Sequence, residues 1–159
     1  MLSRITVASL LVLALLAGNT VGETKDQEKQ EKLTLKGVKC LFCKMDVNKD
    51  EFVEYKGAKV FFGCGGCPQA FKKDAAKYAT KANAQLVSTN QARQKACPLS
   101  GGATNDEFTL AVAGTKVSFC CGNCKSATAK LAADAQLEKV FSEAAFKKAF
   151  EVRKGEKKG

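Results

Sequence analysis

Two stretches of the chain share one pattern: residues 57–67 read GAKVFFGCGGC, and residues 114–124 read GTKVSFCCGNC. When Gly57 is aligned with Gly114, the valine, the second phenylalanine and both cysteines of the final Cys-x-x-Cys fall on matching positions. Self-similarity of this kind is the mark of an internal duplication. The sequence therefore predicts two related repeats, each carrying a cysteine pair.

Each repeat has the pattern of a β-hairpin followed by a helix. Runs of β-branched and aromatic residues flank a turn that contains glycine, as expected of paired strands. Apolar residues at helical spacing predict one helix from Pro68 through Ala82, a second through Leu131 and Ala135, and a final one from Ser142. The predicted strands are 52–55, 59–62, 108–112 and 116–119. The predicted fold class is α+β: a Cys knuckle, a hairpin and a helix in each repeat, plus a C-terminal helix.

The rest of the chain divides by composition. Residues 5–17 form an apolar run that has the length of a signal-peptide core and is shorter than a membrane span. We therefore expect export to the periplasm or the extracellular space, an oxidising setting, with an uncleaved anchor as the alternative. The predicted segments are a signal peptide at 1–22, a charged linker at 23–36, the first repeat at 37–84, a connector at 85–94, the second repeat with the C-terminal helix at 95–152, and a basic tail at 153–159.

Composition restricts the chemistry. The chain has 159 residues and no histidine, which excludes Ser-His-Asp and Cys-His nucleophilic sites and every metal site that contains histidine. Its formal net charge of +10 comes from lysines scattered along the whole chain, so we expect a solvated surface and no specific nucleic-acid partner. Eight cysteines carry the chemistry, and no catalysis is expected.

The first repeat spaces its cysteines as two Cys-x-x-Cys pairs: Cys40 with Cys43, and Cys64 with Cys67. Two thiolates on one knuckle can hold an ion, and a hairpin brings the second pair round to complete a tetrahedron. The second pair precedes a helix, whose free N–H groups and dipole favour thiolates. This spacing predicts a metal site, with two disulfides as the alternative in an exported protein.

The second repeat is less regular. Its cysteines are Cys97, Cys120, Cys121 and Cys124, and aligning Cys43 with Cys97 leaves Gln94 where Cys40 stands. Because the side chains of adjacent residues diverge, we expect Cys97, Cys121 and Cys124 as ligands, with Cys120 beside them. Three thiolates and an open position suit a transferable soft ion such as Cu(I), or a reactive zinc. The first site would then be structural and the second open. One disulfide plus a spare pair is the alternative.

A thiol–disulfide redox protein is the third interpretation. It is the least favoured, because that use of Cys-x-x-Cys is typical of a βαβ context and one reactive pair. In this chain the pairs follow antiparallel hairpins and come in sets that resemble metal ligands. A metal-binding protein and a disulfide-stapled interaction domain remain the two leading hypotheses.

The ordered series of motifs resembles the YHS domain and the related TRASH-type metal-binding domains. The resemblance is carried by VKCLFCKM at 38–45, YKGAKVFF at 55–62 and CGGC at 64–67, and again by CPLSG at 97–101 and VSFCCGNC at 117–124. It implies a treble-clef-like fold and binding of heavy or transition metals, with links to trafficking, sensing and resistance. We therefore expect zinc or copper as the ion, held for storage, trafficking or buffering, and a metal-transfer protein as a partner.

Overall fold

The computed structural model describes residues 32–153. The predicted signal peptide, most of the linker and residues 154–159 of the basic tail lie outside the described residues. The elements are β1 (Asn48–Tyr55), β2 (Ala58–Phe62), α1 (Cys67–Lys73), α2 (Ala79–Ser88), β3 (Ala92–Gln94), β4 (Asn105–Val112), β5 (Thr115–Phe119), α3 (Gly122–Ala129), α4 (Ala133–Phe141), α5 (Glu143–Ala149) and β6 (Phe150–Val152). This mixture of helices and small antiparallel sheets confirms the predicted α+β class. Within residues 32–153, every helix is too short or too polar to cross a bilayer.

Both predicted hairpins are confirmed, and they are alike in detail. β1 pairs with β2 and β4 with β5, and the register breaks in the same place in each, after Asn48 and after Asn105. The turns also match, because Gly57 and Gly114 have φ angles of 79° and 76°. This left-handed conformation is open to glycine at little cost, and it gives the turn the twist that a tight hairpin needs.

The helix predicted after each Cys-x-x-Cys is interrupted, so the prediction of one continuous helix in each repeat is wrong. α1 ends at Lys73 and α2 begins at Ala79; likewise α3 ends at Ala129 and α4 begins at Ala133. In the first break the Asp74 side chain accepts a hydrogen bond from the backbone N–H of Lys77, a local bond that competes with helix continuation. The breaks let α2 and α4 pack against each other.

The C-terminal helix is confirmed as α5, but Phe150 leaves it and begins β6. β6 pairs antiparallel with β3, which lies inside the segment 85–94 that the sequence marks as a connector. That segment also contains the end of α2. A three-residue strand is too short to show a period of two, so the sequence pattern misses it.

One hydrophobic core is shared by the two repeats. Phe62 and Phe71 of the first repeat and Phe119 and Phe141 of the second are almost completely buried and belong to the same cluster. Cys40 and Cys97 also belong to it. Hydrophobic stabilisation is roughly proportional to the apolar area that is buried. A shared core therefore stabilises each repeat more than its own residues could.

Glutamine side chains secure the edges of the two-stranded sheets. Gln85 accepts a hydrogen bond from the N–H of Phe61 and donates one to its carbonyl, at 2.7 and 2.9 Å. Gln94 does the same with Ser118, at 2.9 and 2.6 Å. An unpaired strand edge is a liability for a sheet. These amides therefore occupy edge positions and fix both hairpins to the segment between the repeats.

Candidate metal centre

A short knuckle holds the first cysteine of each site. The backbone N–H of Cys40 donates to the carbonyl of Met45, and that of Cys97 donates to the carbonyl of Gly102, both at 2.8 Å. The residue before each acceptor has a left-handed backbone conformation: φ is 60° at Lys44 in the first knuckle and 79° at Gly101 in the second. The two knuckles therefore have the same backbone geometry.

This geometry corrects the alignment of the repeats. Cys97 is the counterpart of Cys40, and Ser100 is the counterpart of Cys43, with the same spacing of 57 residues that separates Gly57 from Gly114. The alignment of Cys43 with Cys97 is therefore wrong. It fails because the first knuckle has two cysteines and the second has one, and matching residue types alone chooses the wrong one of the two. A constant spacing through both repeats was the signal in the sequence that would have corrected it.

In the first repeat all four predicted cysteines lie together. The sulfur atoms of Cys40, Cys43 and Cys67 are within 4.8 Å of one another, close enough to hold one ion. The Sγ atom of Cys64 is 2.9 Å from that of Cys67, and it also interacts with the Cys43 thiol. The knuckle supplies the first pair; in the second pair, Cys64 lies in the turn before α1 and Cys67 is the first residue of α1.

In the second repeat the structure brings Cys97, Cys120 and Cys124 together, again with their sulfur atoms within 4.8 Å of one another. This differs from the predicted set, in which Cys121 was a ligand and Cys120 lay beside it. Cys121 has extended backbone, with φ of −159° and ψ of 168°, yet the two side chains do not diverge as expected, because their sulfur atoms stay in contact. It is Cys120, at the end of β5, that faces the knuckle. The Cys121 sulfur is 3.6 Å from that of Cys120, at the side of the triad.

The two sites differ by an exchange of position. A Cβ atom built on Gly63 would lie 2.9 Å from the carbonyl oxygen of Asp46, 3.0 Å from Cβ of Met45 and 3.3 Å from Sγ of Cys43. The first repeat therefore has no room for a side chain there. In the second repeat the counterpart of Gly63 is Cys120, and the Ser100 hydroxyl donates to its sulfur at 3.3 Å. One thiol has moved from the knuckle to the end of the strand.

The first cysteine of each knuckle, Cys40 or Cys97, has a lowered pKa. Burial raises the pKa of Cys40, but hydrogen bonds from the backbone at Gly63, Phe42 and Cys43 outweigh it and lower the pKa to about 7. Burial likewise raises the pKa of Cys97, and hydrogen bonds from Ser100 and the backbone lower it to about 6. Thiolate is the form that binds metal.

The thiols of Cys67 in α1 and Cys124 in α3 behave in the opposite way. The hydrogen bond to Cys64, followed by burial, raises the pKa of Cys67. Burial and hydrogen bonds to Cys120 and Cys121 raise the pKa of Cys124 to about 12. Each cluster thus retains a proton among its sulfur atoms in the absence of a cation. A metal ion at the same place would displace that proton and take over its stabilising role.

Compared with protein-family models, with curated proteins and with solved structures, the chain has no match. The two cysteine clusters and their surroundings are therefore the observations on which a functional conclusion rests.

Proposed function

We propose that this protein binds a soft or borderline metal ion, zinc or copper, through its cysteine thiolates, for storage, trafficking or buffering and without catalysis. The observation that carries the proposal is the convergence of three sulfur atoms within 4.8 Å in each repeat. Convergence on a common centre is what an ion requires, since a tetrahedral or trigonal site places its donors around one point.

The contact pattern favours an ion over disulfides. Cys67 interacts with Cys40, Cys43 and Cys64 together, whereas a disulfide partner would leave the other two aside. The Sγ atoms of Cys64 and Cys67 lie 2.9 Å apart, well beyond a covalent bond of about 2.05 Å. All eight cysteines are unbonded.

The donor set narrows the choice of ion. The groups of described residues that can hold a metal consist of cysteine alone, with no carboxylate among them. Thiolates select zinc and Cu(I) over the hard cations magnesium and calcium, which require oxygen. Membership of the YHS and TRASH-type domains and export by a signal peptide are parts of the same proposal. A metal-transfer protein would be the natural partner.

The first experiment separates metal binding from disulfides on protein purified without reductant or chelator. Intact mass is measured under native and denaturing conditions, each with thiol labelling. We expect a native mass excess of one or two metal ions, and thiols that react with the label once the protein is denatured. A mass eight hydrogens short, with no label and no metal, would establish four disulfides and end the proposal.

Equivalent positions of the repeats supply a matched pair of variants. Cys43→Ala removes a thiol from the first cluster, and Ser100→Ala removes the hydroxyl that stands at the same place in the second. We expect Cys43→Ala to weaken zinc binding by about 100-fold or more and Ser100→Ala by about tenfold at most, since a thiolate is a ligand and a hydroxyl only a hydrogen-bond donor here. Competition with a chromophoric chelator measures both. Equal losses would contradict the assignment of Cys43 as a ligand.

A further inference from the structure

The thiols of the two clusters are not equally accessible. The structure describes all eight cysteines, and Cys43 alone among them is exposed; Cys40, Cys67 and Cys97 are buried. An ion that arrives from solution or from another protein meets an exposed sulfur first. At the first cluster Cys43 is the most exposed cysteine residue.

A thioether stands beside this thiol. Met45 is 49% exposed, so its side chain is accessible from solution. A Cβ atom built on Gly63 would lie 3.0 Å from Cβ of Met45 and 3.3 Å from Sγ of Cys43, so both side chains flank the same face of Gly63. The flexible methionine chain is long enough to bring its sulfur to the thiol.

The second cluster lacks this arrangement. The counterparts of Cys43 and Met45 are Ser100 and Gly102, and neither carries sulfur. The extra thiol there, Cys120, is half-buried, and its sulfur accepts a hydrogen bond from the Ser100 hydroxyl. An exposed thiol with an exposed thioether two residues away is therefore a property of the first repeat, the one to which the sequence assigned the structural role.

We propose that Cys43 and Met45 form the entry site through which Cu(I) reaches the first cluster, which makes the first repeat the exchangeable one. The inference rests on the proposed metal binding and adds the ion and its route. A neutral thioether is a soft ligand that suits Cu(I), whereas zinc takes thiolate, imidazole or carboxylate.

The transfer is a ligand exchange without a change of oxidation state. Cu(I) arrives on a thiolate-bearing donor, and bonds form from copper to Sδ of Met45 and to Sγ of Cys43. The bonds from copper to the donor sulfur break, and the Cys43 thiol proton passes to the departing donor thiolate. Thiolates of Cys40 and Cys67 then replace Met45 as the ion moves inward, with their protons released to solvent.

The test compares Met45→Leu with the unaltered chain, since leucine keeps the volume and removes the sulfur. Stopped-flow transfer is measured from Cu(I)–glutathione, and separately for Zn²⁺ from a chromophoric chelator. We expect Cu(I) transfer to slow by about tenfold and the zinc rate to change by less than about twofold, because only copper uses the thioether. An ε-methyl ¹³C label on methionine should shift at Met45 with Cu(I) and not with Zn²⁺.

The double variant Leu33→Met with Met45→Leu is the matched control. Leu33 is 47% exposed and lies beside the end of α2, where its neighbour Thr34 bonds to Thr89. The double variant restores the number of exposed thioethers at another place. Its Cu(I) transfer should therefore stay as slow as that of Met45→Leu. Recovery of the rate by the double variant, equal slowing of both ions, or no slowing at all would each overturn the entry site. Failure of the unaltered chain to bind either metal would instead refute the proposed function.

Discussion

The two repeats share a backbone and differ in their sulfur atoms. Both have the same knuckle, the same hairpin turn and the same break in strand register. A thiol stands on the knuckle at Cys43 in the first, and at the strand end at Cys120 in the second. Glycine or serine fills the vacated place each time. The comparison teaches that such a scaffold can redistribute its ligands while its backbone stays the same.

The core should reveal the largest difference between the repeats. Phe71 is 1% exposed, with its ring centroid 5.6 Å from those of Tyr55 and Phe62, whereas its counterpart in the second repeat is the small residue Thr128. Phe71→Ala should cost about 3–5 kcal/mol of the free energy of unfolding, because it leaves a cavity among aromatic rings. Thr128→Ala should cost about 1 kcal/mol, the loss of a hydrogen bond.

Urea unfolding of the metal-free protein measures both variants. The shared core predicts one transition in each case, and two separate transitions would show that the repeats fold independently.

Adjacent cysteines offer the sharpest test of the second site. Cys120→Ser should weaken metal binding there by about 100-fold, since it removes one sulfur of the triad, and Cys121→Ser by about tenfold at most. Both are measured by chelator competition in the Cys67→Ser background, which silences the first site. The reverse order of the two effects would restore the ligand set expected from sequence.

Acidification should release zinc from the first site at a higher pH than from the second. The pKa of Cys40 is about 7 and that of Cys97 about 6, so protons reach the first knuckle thiolate at the higher pH. Metal binding requires the thiolate, and the first site should release zinc before the second as the pH falls. Zinc release is followed with an indicator in Cys67→Ser and Cys124→Ser, each of which keeps one site. Zinc release from both sites at the same pH would contradict the expected difference between them.

The smallest effect concerns an ion pair between the first repeat and α5. Lys56 contacts Glu143 at 2.7 Å and Tyr55 donates to the same carboxylate, while the counterpart of Lys56 is Ala113. Burial raises the pKa of Glu143, but hydrogen bonds from Lys56 and Tyr55 outweigh it and lower the pKa.

This contribution is therefore complete above the ordinary glutamate pKa and is lost as the pH falls through the lowered one. Glu143→Gln should cost about 0.5–1 kcal/mol at neutral pH, because the pair is largely exposed. Thermal unfolding at pH 7 and near pH 3 checks the sign. A difference that persists undiminished at low pH would exclude the ion pair as its cause.

Local patterns predicted the hairpins, the final helix and the gathering of the cysteines, because each depends on residues close in sequence. The helix breaks and the strand pair β3–β6 escaped prediction, since they depend on packing between distant segments such as α2 and α4. The sequence pattern also did not decide which of Cys120 and Cys121 joins the triad, because alternation along a strand does not say which face of the strand meets the knuckle. The role of Ser100 was missed because serine is not a typical metal ligand and does not stand out among the cysteines.

The pairing of β3 with β6 has a symmetry that bears on how the chain arose. Arg93 pairs with Glu151 and Gln94 with Phe150, and the repeat spacing makes Phe150 the counterpart of Arg93 and Glu151 that of Gln94. Each strand thus meets its own equivalent across a pseudo-twofold axis, as in an isologous homodimer. Two separate copies of one repeat could make the same contacts. Fusion into one polypeptide frees the halves from identity, so a cysteine can change place in one centre while the other keeps its original arrangement.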